Sequence, residues 1–208
     1  GKRIQPPKEE PEGSEQTNLT DAGSRLMRKN KRSEYQQCYN AQAAVDADGS
    51  QLVLSARVSQ CASDRNELVA DIQAIDSKVG TPEQILADNG YANGDEVEAL
   101  SERGMDVLVA VGSGDARRQH DFRPMVEPRP EKEPTAAWLQ EMKEKMALDE
   151  NRSAYRLRKQ TVEPVFGVIK HVMGFRQFLL RGEEKVAGEW ELLTLAYNCK
   201  RLHKLKYA

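Results

Sequence analysis

The chain has 208 residues, 38% of them hydrophobic and 31% charged, with a mean hydropathy of -0.72. That length supports one sizeable core and hardly two, and charge interrupts every apolar run well before it could span a bilayer. The net charge of -2 says nothing about partners by itself, but from Arg152 onward twelve Lys or Arg face five Glu and no Asp, a basic tail that suits a polyanion.

In chain order, residues 1–20 are rich in Pro, Glu and Gly and read as a disordered lead without the apolar stretch of a signal peptide. The stretch from Asp21 to Glu34, DAGSRLMRKNKRSE, is basic and irregular and is expected to be a surface loop. Order should therefore begin near Tyr35, which divides the chain into a lead over 1–34 and a folded part over 35–208. Two apolar runs, YNAQAAV and QLVLSARVS, enclose Asp46-Ala47-Asp48-Gly49, a hairpin signal. Residues 62–79 place Leu68, Ile72 and Ile75 at helical spacing behind Ser63 or Asp64 as N-cap. Gln84 to Asp88 is a short apolar strand, 93–103 a second helix, and Met105 to Val111 a continuous apolar run fit for a buried strand. The 112–134 segment, with Arg117, Arg118, His120 and four prolines, reads as a long exposed loop. Helical patterning then covers 135–149, 151–173 and 183–206. In the last of these, Leu192, Leu195, Ala196, Cys199 and Leu202 are expected to face the core, with Lys200, Arg201, Lys204 and Lys206 outward. Trp138 and Trp190 are expected to anchor helix packing, His120 and His203 to be surface groups, and His171 to be a plain helix position. The order is that of an α/β protein with a mixed sheet.

Cys38, Cys61 and Cys199 stand far apart, with no metal-ligand spacing, as suits reduced thiols in a cytoplasmic protein. Asp88 ends an apolar strand and precedes Asn-Gly-Tyr. Such a carboxylate can point into the crevice at the carboxyl end of a sheet or simply cap the following turn. Glu163 lies beside the apolar stripe Val162, Phe166 and Ile169, and Lys170 follows two turns later. Pro164 and Gly167 are poor helix-interior choices, so the helix is expected to bend or start at Pro164, with Glu163 at its head. Glu163 taken alone reads as a solvated charge.

LADNGY around Asp88, and the pattern formed by Tyr155, Arg158, Glu163 and Lys170, resemble the second and third signature blocks of bacterial DDE-type insertion-sequence transposases. SRLMRKN, YNAQAAVDADG and LLTLAYNCKRL are similar to further stretches of one branch of that group, so the resemblance runs from about Asp21 to Leu205. The usual helix block has three residues between Arg and Glu. Here Arg158 and Glu163 have four, which leaves Lys159 as an alternative to Arg158.

The resemblance implies an RNase H-like mixed sheet flanked by helices, a helical C-terminal part, and Mg²⁺ or Mn²⁺ held by carboxylates that include Asp88 and Glu163. It implies DNA-phosphate contacts from Tyr155, Arg158 and Lys170, and it leaves His171, next to Lys170, within reach of DNA. The implied function is metal-dependent cleavage at transposon ends and strand transfer into double-stranded target DNA. A homodimer in the active complex and a cytoplasmic, nucleoid-associated location follow from the same likeness. The alternative is a non-catalytic DNA-binding remnant of a truncated transposase. In the resembled proteins a first Asp sits on a first strand before the SRLM block. Nothing before Asp21 matches it, so that strand is expected upstream, and Asp46 reads as turn chemistry. Without it, the facing edges of the strands at 37–46 and 83–88 would pair directly or stand open. The isolated chain is then expected to be less stable than its core size suggests and unable to transfer strands.

Overall fold

The computed structural model describes residues 17–28, 32–111 and 136–207. The expected loop at 112–134, with Arg117, Arg118 and His120, lies outside the described residues, as does the lead before Thr17. The architecture is mixed α/β. Its strands are β1 (Arg25–Met27), β2 (Gln36–Cys38), β3 (Asn40–Val45), β4 (Val53–Ser59), β5 (Gln84–Ala87) and β6 (Asp106–Val109). Its helices are α1 (Leu68–Gln73), α2 (Gly94–Ser101), α3 (Ala137–Ala147), α4 (Asp149–Gly167) and α5 (Glu183–Tyr207). No described helix is long and apolar enough to cross a membrane.

Among the described residues the strands form three separate pairs: β1 with β2 and β3 with β4, both antiparallel, and β5 with β6 in parallel. The β3–β4 hairpin closes through Gly49 at φ 96°, a backbone that glycine adopts without strain. Asp46 accepts from Ser50 N–H at 3.1 Å and Asp48 N–H at 3.1 Å, so it is occupied as a turn residue. The stretch expected to be a loop over 21–34 instead contains β1. Asp21 ties it down, accepting from the Tyr39 hydroxyl at 2.6 Å and from Gly182 N–H at 3.2 Å.

The helix expected over 62–79 is a 3₁₀ turn, Asp64–Asn66, followed by the short α1. Ser63 caps the turn by accepting from Arg65 N–H. The capping oxygen for α1 comes from α2, where the Glu96 carboxylate accepts from Leu68 and Val69 N–H at 2.9 and 3.3 Å. The expected break at Pro164 does not occur. α4 runs through Pro164 and continues into a π-helical turn, Val168–Val172. Proline leaves the carbonyl four residues back without its helical donor, and the Gln51 side chain supplies one, reaching Gln160 O at 2.6 Å.

Two cores form where one was expected. One surrounds the β5–β6 pair, with Leu68, Ile85, Leu100 and Val107. The other joins β4, α4 and α5 through Val53, Val165, Ile169, Trp190 and Tyr197. α5 is pinned to the hairpin by backbone-reading side chains. Trp190 Nε1 donates to Gln42 O at 2.8 Å, and Asn198 exchanges two hydrogen bonds with Val53, both 2.8 Å. The expected core stripe of α5 is the wrong face: Leu192, Leu195, Ala196, Cys199 and Leu202 are exposed, and Val186, Trp190, Thr194 and Tyr197 are buried. Arg201, expected outward, donates instead to Ser50 O at 2.6 Å. These polar anchors on β3 and β4 choose the face, which apolar spacing alone cannot do.

Candidate functional site

Between the two cores runs a groove of about 260 Å³, walled by β3 on one side and by β5 with Asp88 on the other. α4 closes one side with Arg158, Val162 and Phe166. β3 and β5 do not hydrogen-bond to each other, so each presents an unpaired edge to this space.

Asp88 follows the last residue of β5, and its carboxylate accepts from Gly90 N–H at 2.7 Å. It caps the next turn and stands at the carboxyl end of a parallel pair, so both readings of Asp88 hold together. Glu163 lies deep in α4 rather than at a helix head. The guanidinium of Arg158 lies between the two carboxylates, 3.7 Å from Asp88 Oδ2 and 3.9 Å from Glu163 Oε1. Two residues 75 positions apart in the chain thus converge on one cation. Arg158 Nε is buried without a hydrogen-bond partner, and the guanidinium carbon stands 5.8 Å from the Tyr155 ring centroid.

Tyr155 donates its hydroxyl to Ala87 O at 3.1 Å, which fixes α4 against the end of β5, one residue before Asp88. Burial raises its pKa, and the Arg158 charge opposes that. Lys170 is exposed on the π-helical turn, its Nζ 5.5 Å from the Phe166 ring centroid. His171 is exposed, and His203 is exposed as expected, beside Tyr207 with 4.8 Å between ring centroids. Trp138 packs against the start of α2, where a Cβ on Gly94 would meet its ring at 2.6 Å.

Sequence reasoning missed the acidic wall of the groove. Asp64 accepts from Asn40 Nδ2 at 2.6 Å and from Gln42 Nε2 at 2.7 Å. Its carboxylate and that of Asp88 flank Gly90, at 3.2 and 2.8 Å from where a Cβ would sit. The Tyr91 hydroxyl donates to Gln42 Oε1. Burial, then the charges of Asp71, Asp64, Asp88 and Glu67, hold Tyr91 far above the ordinary tyrosine range. Behind it, Arg57 pairs with Asp71 at 2.6 Å and with Glu67 at 3.3 Å. A signal was available: Asn40 and Gln42 put amides on alternate positions of an otherwise apolar strand. Ser63 was also sufficient as the cap, which freed Asp64 for another role.

The donor set suits a hard divalent cation in kind, since Asp88 and Glu163 offer carboxylate oxygens with side chains 46% and 58% exposed. Among the described residues no three His, Cys, Asp or Glu are grouped as a ready-made metal cage. No curated protein and no solved structure matches this chain. The model of the transposase DDE domain family matches residues 10–199, and the chain belongs to that family.

Proposed function

We propose that the domain cuts and joins DNA, with Asp88 and Glu163 as oxygen ligands of Mg²⁺ or Mn²⁺ and double-stranded DNA as substrate. The observation that carries this reading is the convergence of the two carboxylates, one from a strand end and one from a helix, on a single guanidinium. A position that one cation satisfies electrostatically is a position another can take. A bound divalent ion would supply Lewis acidity toward a phosphodiester oxygen.

The chain's own residues do the rest. Tyr155 fixes α4 to the end of β5, so that Glu163 is held opposite Asp88. Arg158 screens the two carboxylates from each other, and its planar fork suits a phosphate if it turns outward. Lys170 stands on the π-helical turn that continues α4, an exposed point charge for the DNA backbone. The RNase H-like sheet belongs to the same proposal, with β3 and β5 as its two halves across the groove. A folded unit over 35–208 is extended by β1, which pairs with β2.

The test is fluorescence anisotropy on duplex DNA with and without Mn²⁺ at matched ionic strength. Mn²⁺ should tighten binding, and Asp88→Asn or Glu163→Gln should remove that increment while leaving metal-free, salt-sensitive binding in place. Salt-sensitive binding with no metal effect in the unaltered protein would instead favour a DNA-binding module without catalysis.

A further inference from the structure

Pro164 weakens α4 beside one of its two site residues. Its ring nitrogen has no hydrogen to give to Gln160 O, and the residue before a proline resists helical backbone. That residue is Glu163, yet α4 runs through both to Gly167. The missing donor is replaced by Gln51, whose Nε2 donates to Gln160 O at 2.6 Å. Among the described residues Gln51 alone, besides glycines, has a positive φ, at 56°, a left-handed backbone that a side chain strains. The hairpin loop fixes that backbone from both sides. Tyr197 donates its hydroxyl to Gln51 O at 3.1 Å, and Arg201 Nε donates to Ser50 O at 2.6 Å. Leu52 N–H donates to Ser50 Oγ at 3.1 Å, and Leu52 O accepts from Asp46 N–H at 2.9 Å.

We propose that Gln51 is a positioning residue for Glu163, an inference that rests on the reading of Glu163 as a metal ligand. α4 carries a tie to each side of the groove. The Tyr155 hydroxyl fastens it to β5 one residue before Asp88, and the Gln51 amide fastens it to the β3–β4 hairpin. Glu163 stands three residues beyond the second tie, within one helical turn. When the turn at 160–164 opens, Glu163 leaves helical backbone and its carboxylate no longer faces Asp88. Asp88 needs no such help, because its own turn holds it through Gly90 N–H. Water also reaches Gln160 O, since Gln160 is exposed, but a water molecule fixes no second element beside the helix. The residue type fits the task. Glutamate would set an acceptor against the carbonyl. Asparagine tolerates left-handed backbone better but is one methylene shorter, so what glutamine adds at this position is reach.

The experiment is a double-mutant cycle between Gln51 and Pro164 in the full chain. It is read by hydrogen exchange over residues 157–168 and by Mn²⁺ affinity from electron paramagnetic resonance. Gln51→Gly suits the left-handed backbone, so the fold is retained while the amide donor is lost. It should speed exchange over 157–168 and weaken Mn²⁺ binding, each about fivefold, the usual effect of one neutral hydrogen bond on an equilibrium constant. Exchange in the β5–β6 core should not change. Pro164→Ala gives Gln160 O a helical donor of its own, so in that background Gln51→Gly should alter neither reading. In Glu163→Gln, Gln51→Gly should speed exchange and leave the residual Mn²⁺ affinity as it is. Unaltered exchange in Gln51→Gly, an effect that persists in full with Pro164→Ala, or Mn²⁺ affinity indifferent to Gln51→Gly would each overturn the proposal. Absence of Mn²⁺ uptake by the unaltered protein is a separate failure. It removes the metal reading, and the positioning role with it, even where the exchange results hold.

Discussion

At the residue scale, one arginine and one aspartate carry the sharpest consequences. Arg158 compensates two carboxylates from a position where its Nε finds no partner. Both ion-pair distances are long, so the stabilisation is modest. Arg158→Gln should cost about 1 kcal/mol in urea denaturation without metal. Millimolar Mn²⁺ should recover more stability in this variant than in the unaltered protein, because its two carboxylates lack a competing cation. Equal recovery in both would argue against competition. Asp71 has a different part. Two carboxylates share one guanidinium in a site where Asp71 is only 5% exposed. Burial pushes its pKa up to about 6, with Arg57 pulling the other way. The folded value lies above the ordinary 3.8, so folding favours the protonated form. Its contribution is fully present below about pH 4 and is lost as pH rises through 6. Denaturation midpoints should show a loss of roughly 1–2 kcal/mol across that window, after allowance for screening. Asp71→Asn should flatten it, and an unchanged slope would place the titration elsewhere.

At the element scale, helix packing is decided by close approaches that composition hides. α2 begins at Gly94 because a Cβ there would stand 2.6 Å from the Trp138 ring. Alanine is the better helix former by about 1 kcal/mol, yet Gly94→Ala should lower stability by about 1–3 kcal/mol because the ring must move. A thermal melt decides the sign. Elements whose signal is local were legible in the sequence: the hairpin around Asp46–Gly49, the two strands ending near Ala87 and Val109, and α2, α3 and α5 to within about two residues at each end. Elements that depend on distant partners were not. β1 is three residues long and exists because β2 pairs with it and because Asp21 is anchored to Tyr39 and Gly182. α4 passes Pro164 with a donor from Gln51, more than a hundred residues earlier in the chain. The buried face of α5 is set by Trp190, Tyr197 and Asn198 bonding to the hairpin backbone. Its equally apolar opposite face misled the reading by pattern.

At the scale of the whole molecule, two cores face each other across a groove with an open strand edge on each side. Two of the residues singled out by sequence line it, Asp88 from one core and Arg158 from the helix that spans to the other, with Glu163 beside Arg158. Sequence pointed to this pair through its flanking motifs. Asp64 was passed over despite the two amides on β3, because an aspartate after Ser63 looks like an ordinary cap until Asn40 and Gln42 are seen to hold it. Whether Asp88 and Glu163 together hold a divalent cation is decided by titrating the protein with Mn²⁺ and following the free ion by electron paramagnetic resonance. Saturable binding is expected, and Asp88→Asn and Glu163→Gln should each weaken it at least about tenfold, a loss of about 1.4 kcal/mol or more. Binding that survives both substitutions unchanged would contradict a shared site.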